Sequence, residues 1–285
     1  MSTGFWDIGK NFAKGAAETF VNSGGVGIVN SQELLGKGLE EFSPTIYAIM
    51  ETIHKNAFMP IAGAILCVGA LNEVYSILVS RNSGNENYIL DILKYFIKFA
   101  ATLVLIFNSF KLVNGLFEIG AWLSKKIMEV SGLDGNLPEF DMTAINTLIE
   151  GMDNWPAFGV GIILYILSIV AFLVGIFSYI FVLSWAYECY LFISASAIPM
   201  GAFVSEEHKS MTTNYAKDGL ALIIQGGMFI VAFAIYKAMI SSVSLTGASK
   251  DSIWAILLTI VAPPFLLLTM YGKMGSISSK IVGKI

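Results

Sequence analysis

Residues 156–200 read PAFGVGIILYILSIVAFLVGIFSYIFVLSWAYECYLFISASAIPM, and Glu188 is their only ionisable acid or base of the Asp, Glu, Lys, Arg or His type. As a helix this run is roughly 66 Å long, about twice the thickness of a hydrocarbon core. Length therefore favours two helices joined by a tight turn, with one long helix that leaves the bilayer as the alternative. No proline or polar cluster lies between Ala157 and Ile198 to mark a turn.

The rest of the chain agrees with a bilayer setting. Hydrophobic residues make up 55% of the 285 and charged residues 13%, with mean hydropathy +0.71. Soluble domains carry about 25% charge, so the reading is an all-α, polytopic helical membrane protein, and most soluble enzyme classes drop out. A formal net charge of −4 leaves no globally basic surface for nucleic acid. Cys67 and Cys189 lie in apolar runs without a CxxC pair, and read as small buried hydrophobes. His54 and His208 stand far apart, each in a polar stretch. There is no phosphate loop, HExxH or GxSxG, so neither enzyme activity, cofactor nor metal is expected.

Residues 1–56 read as amphipathic rather than spanning. Phe5, Ile8, Phe12, Ala16 and Phe20 recur at helical spacing, and Lys10, Lys14 and Glu18 form another face. Such a helix suits the membrane interface, with Trp6 at headgroup depth, or a dock on the protein's own surface. Charge mixed through residues 3–21 leaves no continuous apolar run of the kind that opens a signal peptide. Asn22–Asn30 is a glycine-rich break, and a second helix is expected over Gln32–Phe42. Ser43 is a good N-cap with Pro44 at the first position of the next helix, whose stripe is Ile46, Ile49, Met50 and Ile53.

Residues 57–117 hold the first two spans, Ala57–Ser80 and roughly Tyr95–Phe117. Residues 118–155 form an acidic connection, seven acids against Lys125 and Lys126. Its first turns continue the preceding helix, 131–136 is a turn, and Asp141 caps a short helix ending near Gly151. Residues 156–285 carry the remaining spans, Gly219–Ser242 and Ile253–Tyr271 among them, the last kinked at Pro263-Pro264. Arg81, Lys94 and Lys98 mark one side as cytoplasmic, with Lys94 and Lys98 as membrane-surface anchors. Lys273, Lys280 and Lys284 place the C-terminus on that side too. Both hold only if 156–200 crosses an odd number of times. The expected count is therefore five transmembrane helices, six being the alternative, with the N-terminus outside and the acidic connection external.

Ionisable groups at bilayer depth are costly and usually face a bundle interior, a water path or a partner. Glu188, Lys111 and Gln225 are accordingly candidates for lining a channel or an inter-helix seam, the plainer reading being an internal pair or snorkelling. Glu73 and Lys237, nearer segment ends, read as snorkelling. Gly161, Ser168, Ala171, Gly175 and Ser178 fall on one stripe of small residues, which suits close helix packing.

Several features together resemble a known family. They are Ser43-Pro44-Thr45-Ile46-Tyr47 leading into Pro60-Ile61-Ala62-Gly63-Ala64-Ile65-Leu66, Asn72-Glu73 closing that segment, and Lys94 to Lys98 opening the next. The gap between the second and third spans and Gln225-Gly226-Gly227 complete the set. In order and spacing, over roughly residues 43–275, they resemble the TrbL-type polytopic subunits of conjugative type IV secretion systems of Gram-positive mobile elements. The resemblance implies a cell-membrane channel subunit, outside at its N-terminus and cytoplasmic at its C-terminus, in a homo-oligomer within the lipid bilayer. It also implies contact with the system's ATPases, its bitopic scaffold subunits and single-stranded DNA in transit. An acidic connection is a poor phosphate binder, so any DNA path runs more plausibly by Lys94, Lys98 and Lys111. A secondary transporter would show internal repeats and midplane broken helices, and no convincing repeat is present. A non-transport membrane protein, such as an immunity or surface-exclusion factor, fits the amphipathic N-terminal region less well.

Overall fold

The computed structural model describes residues 7–23, 25–82, 88–133, 146–147, 149–205, 208–242 and 253–283. Helices account for the secondary structure of these residues, and no strand occurs among them. The order is α1 (Ile8–Ser23), α2 (Gly25–Leu35), α3 (Leu39–Phe42), α4 (Pro44–Ile53), a π turn (His54–Phe58), α5 (Met59–Asn82) and α6 (Tyr88–Val130). There follow α7 (Asn154–Ser194), α8 (Ala197–Gly201), a 3-10 turn (Ala202–Val204), α9 (Lys209–Ser242) and α10 (Ile253–Ile281). Among the described residues three segments, Pro44–Val79, Asn154–Val204 and Lys209–Ile240, are long and apolar enough to cross a membrane. The chain is an all-α polytopic membrane protein.

The length argument for two helices in 156–200 is overturned: α7 runs unbroken for 41 residues, about 62 Å at helical rise. The missing turn signal outweighed the length, because nothing in the run offers the backbone an alternative to its own hydrogen bonds. Asp153 supplies the first carbonyl, bonded by the Ala157 N–H at 3.0 Å. Pro156 falls in the first turn, where its missing N–H costs nothing. The helix stops where Ala195 and Ser196 turn, ahead of α8.

Other boundaries moved as well. The glycine-rich stretch expected to be a break is helical from Gly25, and the helix expected over Gln32–Phe42 is divided between α2 and α3. Ser43 caps α4 as its sequence context predicts, its Oγ accepting from the Ile46 N–H at 3.4 Å. The expected turn after α6 begins at Ser131, and Gly132 adopts φ +63°, the left-handed conformation a glycine takes without penalty. Leu133 N–H bonds back to the Met128 carbonyl at 2.9 Å and closes the helix end. Asp141 and Trp6 lie outside the described residues. α10 continues through Pro263 and Pro264 as one helix.

The chain divides into two compact units. The first comprises residues 1–36, 123–184 and 227–274. In it α1 packs on α7. The buried face of α1 is Ala13, Ala16, Ala17 and Phe20, set against Ile149, Ala157, Leu164 and Ala171. Ile8, expected on the apolar stripe, is instead exposed. Of the two sites considered for this helix, it occupies the dock on the protein's own surface. Gly161 makes that dock possible: a Cβ there would stand 2.5 Å from Phe12 Cδ1 and 3.0 Å from Ala13 Cα. Polar contacts fix the register. The Gly9 N–H donates to Asn154 Oδ1 at 2.8 Å, and Lys14 Nζ pairs with Glu150 Oε1 at 2.7 Å. Elsewhere in this unit Phe181, Phe229 and Phe233 set their rings edge-on to Tyr271.

The second unit comprises residues 37–122, 185–226 and 275–285. One of its cores gathers Phe110, Val113 and Phe117 of α6, Cys189, Tyr190 and Ile193 of α7, and Leu222 and Ile223 of α9. A second core joins Ala62 and Leu66 of α5 to Tyr95 and Ile106 of α6 and to Ala197 and Val204. α5 and α8 nearly touch backbones, since a Cβ on Gly201 would stand 2.6 Å from the Ala62 carbonyl oxygen.

Two measurements follow from the α1 dock. Gly161→Leu drives a branched side chain into Phe12 and should destabilise the dock by about 1–3 kcal/mol. Gly159→Leu, whose Cβ meets open space, should be near neutral, and thermal unfolding in detergent compares the two. The hydrogen bond and charge of Lys14 hold the Glu150 carboxyl below its ordinary value. Its contribution is thus complete above the ordinary carboxylate pKa and lost as pH falls through the depressed one. Hydrogen exchange at α1 amides should therefore quicken on acidification through that range, relative to intrinsic rates, and Glu150→Gln should flatten the dependence.

Candidate functional site

The polar groups of the long helices are mostly satisfied by the fold or left on its surface, while Asn114 Oδ1 and Tyr271 OH are buried with no hydrogen-bond partner among the described residues. One satisfied group is around His54, a residue 1% exposed. Its Nδ1 lies 2.8 Å from the Ser194 carbonyl oxygen. A carbonyl only accepts, so Nδ1 carries a proton. Nε2 lies 3.3 Å from Ser109 Oγ, and the Ser109 hydroxyl also has the Ile106 carbonyl at 2.8 Å. The imidazole thereby joins the α4–α5 segment to α6 and to the end of α7, with the Phe110 ring 5.2 Å away.

In sequence His54 stands in a polar stretch, with Glu51 and Thr52 before it and Lys55 and Asn56 after it. A usable signal was present: Ile46, Met50 and His54 follow at intervals of four, while Glu51 and Lys55 pair with each other at 2.7 Å on another face. Pro60 also pointed to a disturbed ladder. It cannot donate to a carbonyl one turn back, and the π turn directly precedes it.

Other side chains bridge helices by donating to backbone carbonyls. Tyr190 OH donates to Leu39, Tyr215 OH to Phe192 at 2.7 Å, and Trp185 Nε1–H to Leu222 at 2.9 Å. Tyr215 also stacks flat on Phe192, centroids 4.0 Å apart. Gly226 is where the Trp185 indole rests, since a Cβ there would come within 2.5 Å of its Cζ2. The Gln225-Gly226-Gly227 motif thus has a packing reason at its centre.

The candidate polar residues behave differently. Glu188 and Lys111 are both exposed. Their neighbours Cys189, Tyr190 and Phe110 are buried in the same core, so each charge stands on the outward side of its helix. Around Lys111 the surface is Phe107, Leu112 and Leu116, and around Glu188 it is Tyr187 and Leu191. No ion pair joins Glu188 to Lys111 among the described residues. Gln225 is half-buried, its amide 3.8 Å from where a Cβ on Gly275 would stand. The three belong to one unit, and no described hydrogen bond brings them together.

Of the anchors, Lys94 is exposed and lies 3.5 Å from Asp91, and Lys98 is half-buried. Lys237 donates to the Gly132 carbonyl, just past the end of α6. The small stripe Gly161, Ser168, Ala171, Gly175 and Ser178 is buried along its length. Asn114, which the sequence reading passed over, is 7% exposed and donates to Glu118 Oε1 at 2.9 Å. Among the described residues no three His, Cys, Asp or Glu side chains come together in a way that would hold a metal.

A family model described as TrbL/VirB6 plasmid conjugal transfer like protein matches residues 26–197. Neither a curated protein nor a solved structure matches the chain. The matched region takes in His54, Lys111, Glu188 and Tyr190 and covers well over half of the sequence. The chain belongs to the TrbL/VirB6 plasmid conjugal transfer-like family, and is a membrane component of a conjugal transfer, type IV secretion apparatus.

Proposed function

We propose that this chain is a channel or scaffold subunit that supports passage of DNA, with its relaxase protein, across the cell membrane. The observation that carries the reading is the family match over residues 26–197. The surface of the long helices supports it. Glu188 and Lys111 stand exposed on apolar faces, and a charge in that setting is costly unless a partner or a hydrated path receives it. An assembly of several copies, or of this chain with bitopic scaffold subunits, provides such a setting. The system's ATPases are the natural partners on the cytoplasmic side. Single-stranded DNA in transit would meet Lys94, Lys98 and Lys111 in preference to the acidic 118–155 connection, since phosphate affinity scales with cationic contacts.

For topology we favour five crossings, N-terminus outside and C-terminus cytoplasmic. The unbroken α7 supports an odd count for residues 156–200, and lysines at 273, 280 and 284 favour a cytoplasmic end.

Conjugative transfer from a donor carrying an in-frame deletion should be abolished and restored by the gene in trans. Glu188→Gln, Lys111→Met and Gln225→Leu should each lower transfer at least tenfold at normal protein level, as expected where about 1.4 kcal/mol of polar interaction is lost from an assembly. Unchanged transfer from the deletion strain would reject the proposal and direct attention to solute uptake or recipient exclusion. In a background lacking Cys67 and Cys189, Ser279→Cys should react with an impermeant maleimide only after the cells are opened. Labelling of intact cells would overturn the orientation.

A further inference from the structure

The backbone between α4 and α5 is weak at one point. The π turn His54–Phe58 interrupts the α-helical ladder, with the Met59 N–H bonding to the His54 carbonyl, and Pro60 follows with no N–H to give. Such turns are local distortions at which a helix bends without unwinding. At the other end of α4, Ser43 is extended (φ −153°, ψ 97°), and its cap bond to Ile46 is long at 3.4 Å. α4 thus lies between an extended N-cap residue and a π turn.

The two sides of the π turn are held very differently. α5 has Ala62 at 0% and Leu66 at 2% exposure and packs backbone to backbone against α8. None of the ten residues of α4 is fully buried. Its Ile46, Tyr47 and Met50 lie half-buried over the core that contains Phe110 and Tyr190, and Ile49 and Ile53 face outward. α4 therefore rests on that core by one side only. The imidazole at its end is fully buried, bonds the Ser194 carbonyl at the end of α7 and lies 3.3 Å from Ser109 Oγ of α6.

We infer that α4 is a strap, jointed at Ser43 and at the π turn and latched by the His54 side chain, which swings off the Phe110–Tyr190 core while α5 stays in place. His54 carries this role because it bonds the Ser194 carbonyl on α7 and lies against Ser109 on α6, at the residue where the ladder is interrupted. Glu51 and Lys55, the charged neighbours on the same segment, are paired with each other on the outer face and do not take part. The inference does not depend on what the assembly transports.

The test is a pair of spin labels on the full-length protein in nanodiscs, with Cys67→Ser and Cys189→Ala removing the native thiols. Ile49→Cys on α4 and Leu116→Cys on α6, both 50% exposed, report the strap. Leu71→Cys on α5 and Phe96→Cys on α6, also exposed, report the rest of the unit. His54→Ala should raise the population at longer strap distances about tenfold, in line with the loss of the buried bond to Ser194 and of the ring's packing, and Ser109→Ala, which removes only the contact to Nε2, should raise it less. The control pair should keep its distance distribution in both variants. An unchanged strap distribution in His54→Ala would overturn the inference. So would simultaneous broadening of both pairs, which would make His54 an ordinary core residue whose loss loosens everything. Should His54→Ala not accumulate, Ser109→Ala alone decides: a longer strap population with an unmoved control supports the latch, and no change refutes it.

Discussion

Every peptide group along the apolar stretch from Pro156 onward has to find its hydrogen-bond partner inside the chain, because the surrounding medium offers none. That constraint accounts for most of the architecture. A 41-residue helix is extravagant in water, where polar side chains and solvent compete for backbone groups. In an apolar setting any break would leave several donors and acceptors unpaired, at a few kcal/mol each. At three breaks among the described residues a substitute is present. Gly132 curls the end of α6 back on itself, Asp153 opens α7, and Ser43 opens α4.

The same shortage of partners explains the style of the interhelical contacts. The cores are tied by aromatic and imidazole donors reaching backbone carbonyls: His54 to Ser194, Tyr190 to Leu39, Trp185 to Leu222 and Tyr215 to Phe192. These side chains bring large apolar surface and a single polar end, so one residue both fills space and fixes register. Buried Ser and Thr hydroxyls mostly return to their own helix, as Thr102, Ser109, Ser178 and Ser194 do. Against this background Glu188 and Lys111 stand apart, since they are charged and face outward.

Much of this could be read from residues alone, and the exceptions have physical causes. Composition and apolar run length were enough for an all-α membrane protein, because the cost of unpaired backbone leaves few other solutions. Ser43-Pro44 announced a helix start because capping is local chemistry. The stretch from Asn22 to Asn30 misled, since glycine costs a helix only about 1 kcal/mol per residue, which tertiary contacts readily override. His54 was hidden by polar neighbours on another face of the same turn, a matter of angle rather than of composition. The choice between interface and protein surface for α1 was open because both bury the same apolar stripe. The dock depends on complementarity between Phe12 and the notch at Gly161, a fact shared between residues about 150 positions apart.

That separation has a consequence for how the molecule is made. Each compact unit is assembled from three stretches of chain, and the stretches of the two alternate along the sequence. The first unit needs residues as early as α1 and as late as Met274. Neither unit can be completed when its first stretch leaves the ribosome. At typical elongation rates of about 5–20 residues per second, α1 waits on the order of ten seconds for α7, its docking partner. Over that interval a small amphipathic helix with an alanine-rich face must be kept from unsuitable company, whether by lipid or by the insertion machinery. The length of this wait, more than the final stability of the dock, sets the demand this sequence places on the cell that synthesises it.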